Sequence, residues 1–153
     1  SQGEENVVQP VSFQRLQSLV ARNGWNVGTP EQVENPQFLY AYFDGVYTVF
    51  STEHDNCLMV SAFGINNLTL SLERFEDAVM WAADHNLGTN FGTSFITSDE
   101  DEGTVMLRVD SAILCPAGAT DEQLVEWVNV ALSANLAAMK RFAEHFDVQI
   151  EQR

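Results

Sequence analysis

Few side chains in this chain are placed to do covalent chemistry. His54 and Cys57 flank one turn, and a Cys–His pair is one way to generate a nucleophilic thiolate. Cys57, however, opens the apolar run Cys57–Phe63, where burial raises a thiol pKa and leaves it inert. Cys115 also lies in an apolar stretch, with no CxxC spacing, so both are read as reduced core residues behaving as small hydrophobes. His54, His85 and His145 stand apart, without HxH or HExxH, and predict no zinc site. His85 and His145 fall in the last turns of predicted helices, where a partly positive imidazole complements the helix dipole. The acidic run Asp99–Glu102 fails as a calcium loop, because Gly103 falls where an oxygen ligand is needed; it reads as a solvated hairpin tip. Neighbouring carboxylates such as Glu76 and Asp77 are too common here to mark an acid–base couple. No GxSxG, GxxxxGK[ST] or GxGxxG occurs. The residues predict no enzyme, no metal and no cofactor.

Charge narrows the partners. The 153 residues carry 7 Lys+Arg against 22 Asp+Glu, a formal net charge of −15. That balance excludes a nucleic-acid binder, whose affinity comes largely from neutralising phosphates, and a polybasic membrane-surface module. No apolar run reaches the roughly 18–20 residues a spanning helix needs. Ser1–Gln9 is polar and acidic, with no basic stretch ahead of an apolar one, so no secretory signal is expected and the expected compartment is the cytoplasm. Ten Phe, three Trp and three Tyr supply too many apolar anchors for an acidic disordered chain.

The elements follow from spacing and punctuation. Residues 1–9 are expected to be a flexible tail and 10–153 a single domain. Phe13, Leu16, Leu19 and Val20 recur at helical spacing before Gly24, predicting a first helix over about Ser12–Asn23. Phe38–Phe43 and Val46–Ser51 flank Asp44-Gly45, a type I′ hairpin pair, and Cys57–Phe63 completes a three-stranded meander. Ser71 serves as N-cap for a second helix over about Leu72–Asn86, with Leu72, Phe75, Val79, Ala82 and Ala83 lining its buried side. A second hairpin joins about Thr93–Thr97 to Thr104–Leu114. Thr120-Asp121-Glu122-Gln123 is a capping box opening a long helix to about Phe146. The order α-βββ-α-ββ-α predicts an α+β domain with helices on an antiparallel sheet.

Phe38…Phe43-Asp44-Gly45-Val46-Tyr47 resembles the first hairpin of the YbjN domain family, often labelled bacterial sensory transduction regulators. Ser71-Leu72-Glu73-Arg74-Phe75, with Trp81 on the same helix, resembles that family's second-helix motif. The acidic hairpin Asp99–Gly103 and the closing Thr120…Glu126-Trp127 helix keep its order and spacing. Ala82 stands where family members often carry Asn after the Trp. The resemblance, over about Phe13–Phe146, implies a fold like that of type III secretion chaperones and a homodimer. It implies neither type III secretion nor any catalytic residue.

The remaining candidates are contact residues. Trp81 falls on the polar side of the second helix, beside Arg74, Asp77 and His85; it is either a dimer or partner contact, or is covered by another element with Arg74 stacked on its ring. The long helix has an apolar arc wider than one sheet face needs, with small Ala131, Ala134 and Ala138 below Trp127. Asn135 lies near the middle of that arc, either fixing the register of a dimer or bonded to nearby backbone. In the first strand Phe38, Tyr40 and Tyr42 share one face and Leu39, Ala41 and Phe43 the other, so both faces are apolar and helices on one side leave the second open. Together these residues predict a non-enzymatic, protein-binding homodimer with a chaperone-like or regulatory role and an unidentified protein client. A small-ligand sensor, with a pocket between the sheet and the third helix, is the alternative.

Overall fold

A computed structural model describes residues 7–54 and 56–151. The elements run α1 (Phe13–Arg22), β1 (Phe38–Phe43), β2 (Val46–Ser51), β3 (Cys57–Phe63), β4 (Leu70–Ser71), α2 (Phe75–Leu87), β5 (Thr93–Asp99), β6 (Thr104–Leu114) and α3 (Asp121–Phe146). The order is the expected one, with the short β4 added. Of the tail expected over 1–9, residues 1–6 lie outside the described residues; Gln9 makes an antiparallel bridge to Ala119.

Local chemistry accounts for the boundaries. Asp44 and Gly45 both take positive φ, 49° and 82°, as a type I′ turn requires. Thr120 accepts from Gln123 N–H while the Gln123 side chain accepts from Thr120 N–H, closing the predicted capping box. Ser12 caps α1 through Arg15 N–H. Ser71 makes no such bond; a single 3-10 turn, Leu72–Arg74, leads into α2 instead.

Every strand pairing is antiparallel. β1, β2, β3 and β6 lie side by side; β3 pairs with Arg108–Leu114 of β6, and β4 continues on that side against Thr104 and Val105. β5 lies along the opposite edge of β6. All three helices cover one face. Leu39, Phe50, Leu58 and Val60 meet Leu16 and Val20 of α1 and Val128 and Leu132 of α3 in one core cluster. Val46, Ala62, Leu107 and Val109 meet Ala78 of α2 and Met139 and Phe142 of α3 in another. Arg15 and Arg22 bond the two oxygens of Asp121, tying α1 to the start of α3. Burial pushes the Asp121 carboxyl up, but hydrogen bonds from both arginines outweigh it and hold it below its ordinary value.

The face of α2 differs from the wheel reading. Leu72, Phe75, Val79 and Ala83, expected to be buried, are exposed, while Ala82 is buried as expected, together with Ala78. The helix lies close on β5 and β6, and a close approach selects small side chains for the contact.

Candidate functional site

With the helices on one side, the other face of the sheet is bare of them. Because side chains alternate along a strand and paired residues share a face, the ladder register sets what that face presents. Tyr42 pairs with Tyr47, Tyr47 with Phe63, Phe63 with Arg108 and Arg108 with Phe95, making one row across β1, β2, β3, β6 and β5. The next row contains Tyr40, Val49, Ser61, Asp110 and Thr93.

The rows are in contact. Ring centroids are 5.5 Å apart for Tyr42–Tyr47, 5.9 Å for Tyr40–Tyr47 and 5.9 Å for Tyr47–Phe63. The Arg108 guanidinium sits over Phe63 at 4.9 Å and over Phe95 at 5.5 Å, while its Nε donates to Asp110 Oδ1 at 2.8 Å. A cation is thus already stacked between two rings of the face, with its charge balanced from the neighbouring row. Burial, then the nearby Tyr40 and Tyr42 hydroxyls, push the Tyr47 phenol above its ordinary value. Tyr40, Tyr47, Phe63, Phe95, Arg108 and Asp110 are half-buried, and Tyr42 is exposed.

The other candidates separate. Trp81 is half-buried and packs edge-on against Phe142 of α3 at 5.3 Å, with His85 stacked flat on it at 4.9 Å. Arg74 does not stack on Trp81. Its guanidinium lies over Phe146 at 5.1 Å, and its Nε bonds Asp77 at 3.3 Å. The end of α3 is therefore what covers Trp81. His85 also departs from the charged imidazole expected at a helix end: burial, and then Arg141, push its pKa down and favour the neutral ring.

Asn135 is satisfied within the chain. It is 1% exposed, its Nδ2 donates to Val60 O at 3.0 Å, and its Oδ1 accepts from Ser111 Oγ at 2.7 Å. Trp127 is separate from it, partly exposed at the far edge of β6 beside Val130.

Across the middle of the sheet the space under α3 is filled by side chains, since Phe50, Leu107, Met139 and Phe142 are fully buried there. Between the far end of β6 and Trp127, Val130 and Ala131 of α3 an open cavity of about 660 Å³ remains, and another of about 620 Å³ lies between the start of α1 and residues 35–37. Cys57 and Cys115 are free and buried, and burial pushes both thiols up. No group of three or more metal-ligating side chains occurs among the described residues, and no described helix is long and apolar enough to cross a membrane. Of the two readings of Asn135, the bond to nearby backbone is the one observed; missed at the sequence level were its Ser111 partner, the Arg108 sandwich and the outward stripe of α2. Arg108 alternating with apolar neighbours on β6 was the one signal available.

Known proteins with this architecture can now be set beside it. A crystal structure of YbjN, titled "a putative transcription regulator from E. coli", superposes with a TM-score of 0.77 at 16% identity, over 96% of this chain and 100% of that one. An uncharacterized protein from Methanothermobacter thermautotrophicus superposes with a TM-score of 0.54 at 13% identity, over 89% of this chain and 99% of that one. At such identities the likeness shows the fold. No curated protein matches the sequence. The family model for YbjN, described as "Putative bacterial sensory transduction regulator", matches residues 12–147, from the N-cap of α1 to the residue that closes α3, and so the chain belongs to the YbjN family.

Proposed function

We propose that this chain is a non-enzymatic regulatory domain that works by binding protein, holding a client in a chaperone-like way, as an acidic homodimer in the cytoplasm. The observation that supports it most is the aromatic row from Tyr42 to Phe95 on the side of the sheet that no helix covers. Rings from four strands, with the Arg108 guanidinium stacked between Phe63 and Phe95, form a largely aromatic surface, and the tyrosines carry hydroxyls suited to a client's backbone. The chain as a whole carries a net charge of −15. It keeps uncovered apolar area soluble and attracts clients that carry basic residues. The client this chemistry fits is an extended segment with apolar and Lys/Arg side chains, the cations stacking on rings as Arg108 does on Phe63.

The test is capture from the native host with wild-type chain and with Tyr42→Ser and Tyr47→Ser variants, each checked by circular dichroism. Proteins retained by the wild type should be lost from both variants while melting temperature changes little. Equal retention by folded variants would refute the reading.

A further inference from the structure

Resting on the homodimer proposed above, we infer that Ser111–Leu114, the far end of β6, is the seam at which two copies of this chain pair edge to edge. β5 accompanies β6 only from Thr104 to Asp110, since its first residue, Thr93, stands opposite Asp110. Gly92 accounts for the stop. It has φ of 78°, and a Cβ there would lie 3.3 Å from both Asn135 Oδ1 and Val109 Cγ1. The chain leaves the ladder beside the Ser111–Asn135 hydrogen bond, and no described strand takes its place.

In an antiparallel sheet successive residues direct their backbone groups to opposite neighbours. Leu107 O accepts from Gly64 N–H, and Cys115 N–H donates to Asn56 O, both on the β3 side. Ala112 and Leu114 therefore present N–H and C=O to the free edge. Beside that edge lies an open cavity of about 660 Å³, walled by Phe91, Leu114, Trp127 and Val130. Phe91 is 64% exposed, Leu114 74% and Val130 47%.

Charge selects the occupant. Leu87–Ser98, Ser111–Thr120 and Trp127–Met139 contain no Asp, Glu, Lys or Arg, and all three segments contribute to this cavity. Asp110, the acidic residue on its wall, is bonded to Arg108. In a chain of net charge −15 this is a neutral window, where an equally acidic second copy approaches without like charges meeting. The exposed apolar stripe of α2 offers no such window, because Glu73, Glu76, Asp77 and Asp84 lie along it.

The edge is also self-complementary. About a two-fold axis at Ile113, Ala112 exchanges both backbone bonds with Leu114 of the second copy, and Leu114 with its Ala112. So short a ladder does not bury the roughly 800 Å² per partner that a stable interface needs. Trp127, Val130, Phe91 and Leu114 supply the rest, with Trp127 as the anchor. The seam and the aromatic face are different surfaces, so each can fail without the other.

Light scattering of the full chain, with hydrogen exchange followed at Ala112 and Leu114, tests the seam. The wild type should have twice the chain mass, with both amides exchanging at least about tenfold slower above the dimerisation concentration than below it. Val130→Glu should yield a folded monomer and remove that protection, as should Ala112→Pro, which takes only the outward donor from the edge. Met80→Glu, on the exposed side of α2, should leave the dimer intact. A monomeric wild type, protection independent of concentration, or a dimer that survives both seam variants and dissociates on Met80→Glu or Tyr47→Ser would overturn the proposal.

Discussion

Replacing Asn135 with Ala should cost about 2 kcal/mol of stability, from about 1 kcal/mol for each of its two hydrogen bonds. The side chain is almost fully buried, and water does not replace the Nδ2 donor at the Val60 carbonyl. The Ser111 hydroxyl is half-buried and recovers part of its loss from solvent. In a domain of this size that corresponds to a fall in melting temperature of about 4–8 °C. The assay is a double-mutant cycle with Ser111→Ala, using urea unfolding at fixed protein concentration. Both single variants remove the Ser111–Asn135 bond, so their effects should overlap by about 1 kcal/mol instead of adding. Since Asn135 faces its own sheet, the folded variant should keep the oligomeric state of the wild type. A loss below about 0.5 kcal/mol, additive single effects, or a change of oligomeric state in folded protein would refute this reasoning.

Trp81→Ala should cost about 2–3 kcal/mol, because the half-buried ring packs on Phe142 and His85; unfolding and client capture together should show lower stability with capture retained. The lowered pKa of His85 means that the unfolded chain binds its proton more readily. Its contribution to stability is therefore present above the ordinary value of 6.5 and is lost as pH falls below it through the folded-state pKa; His85→Gln should flatten that part of a stability–pH curve. Cys57 and Cys115 should react slowly with a thiol reagent at neutral pH in the native chain and rapidly once it is unfolded, because burial raises both thiols.

Elements punctuated by local chemistry were legible in the sequence. Asp44-Gly45 dictates its turn through positive φ, and Thr120 and Gln123 cap α3 through bonds three residues apart. The exposed strand face was legible too, since Tyr40 and Tyr42 alternate with Leu39 and Ala41 and helices lie on one side only. What depends on distance along the chain was not. Asn135 reads alike on a wheel whether it faces a partner or, as it does, the Val60 carbonyl of its own sheet. The buried side of α2 was misjudged because apolar size was taken for burial; close packing on β5 and β6 selects Ala78 and Ala82 and turns Phe75 and Val79 outward. The bare end of β6 follows from where Gly92 leaves the ladder, a matter of register that no local pattern marks.

The most direct test of protein binding by the uncovered sheet face is hydroxyl-radical footprinting of side chains, with and without a captured client. Tyr40, Tyr42 and Tyr47 should lose labelling in the complex, while Phe75 and Met80 on α2 keep theirs. Unchanged labelling of the three tyrosines alongside protection elsewhere would contradict the account.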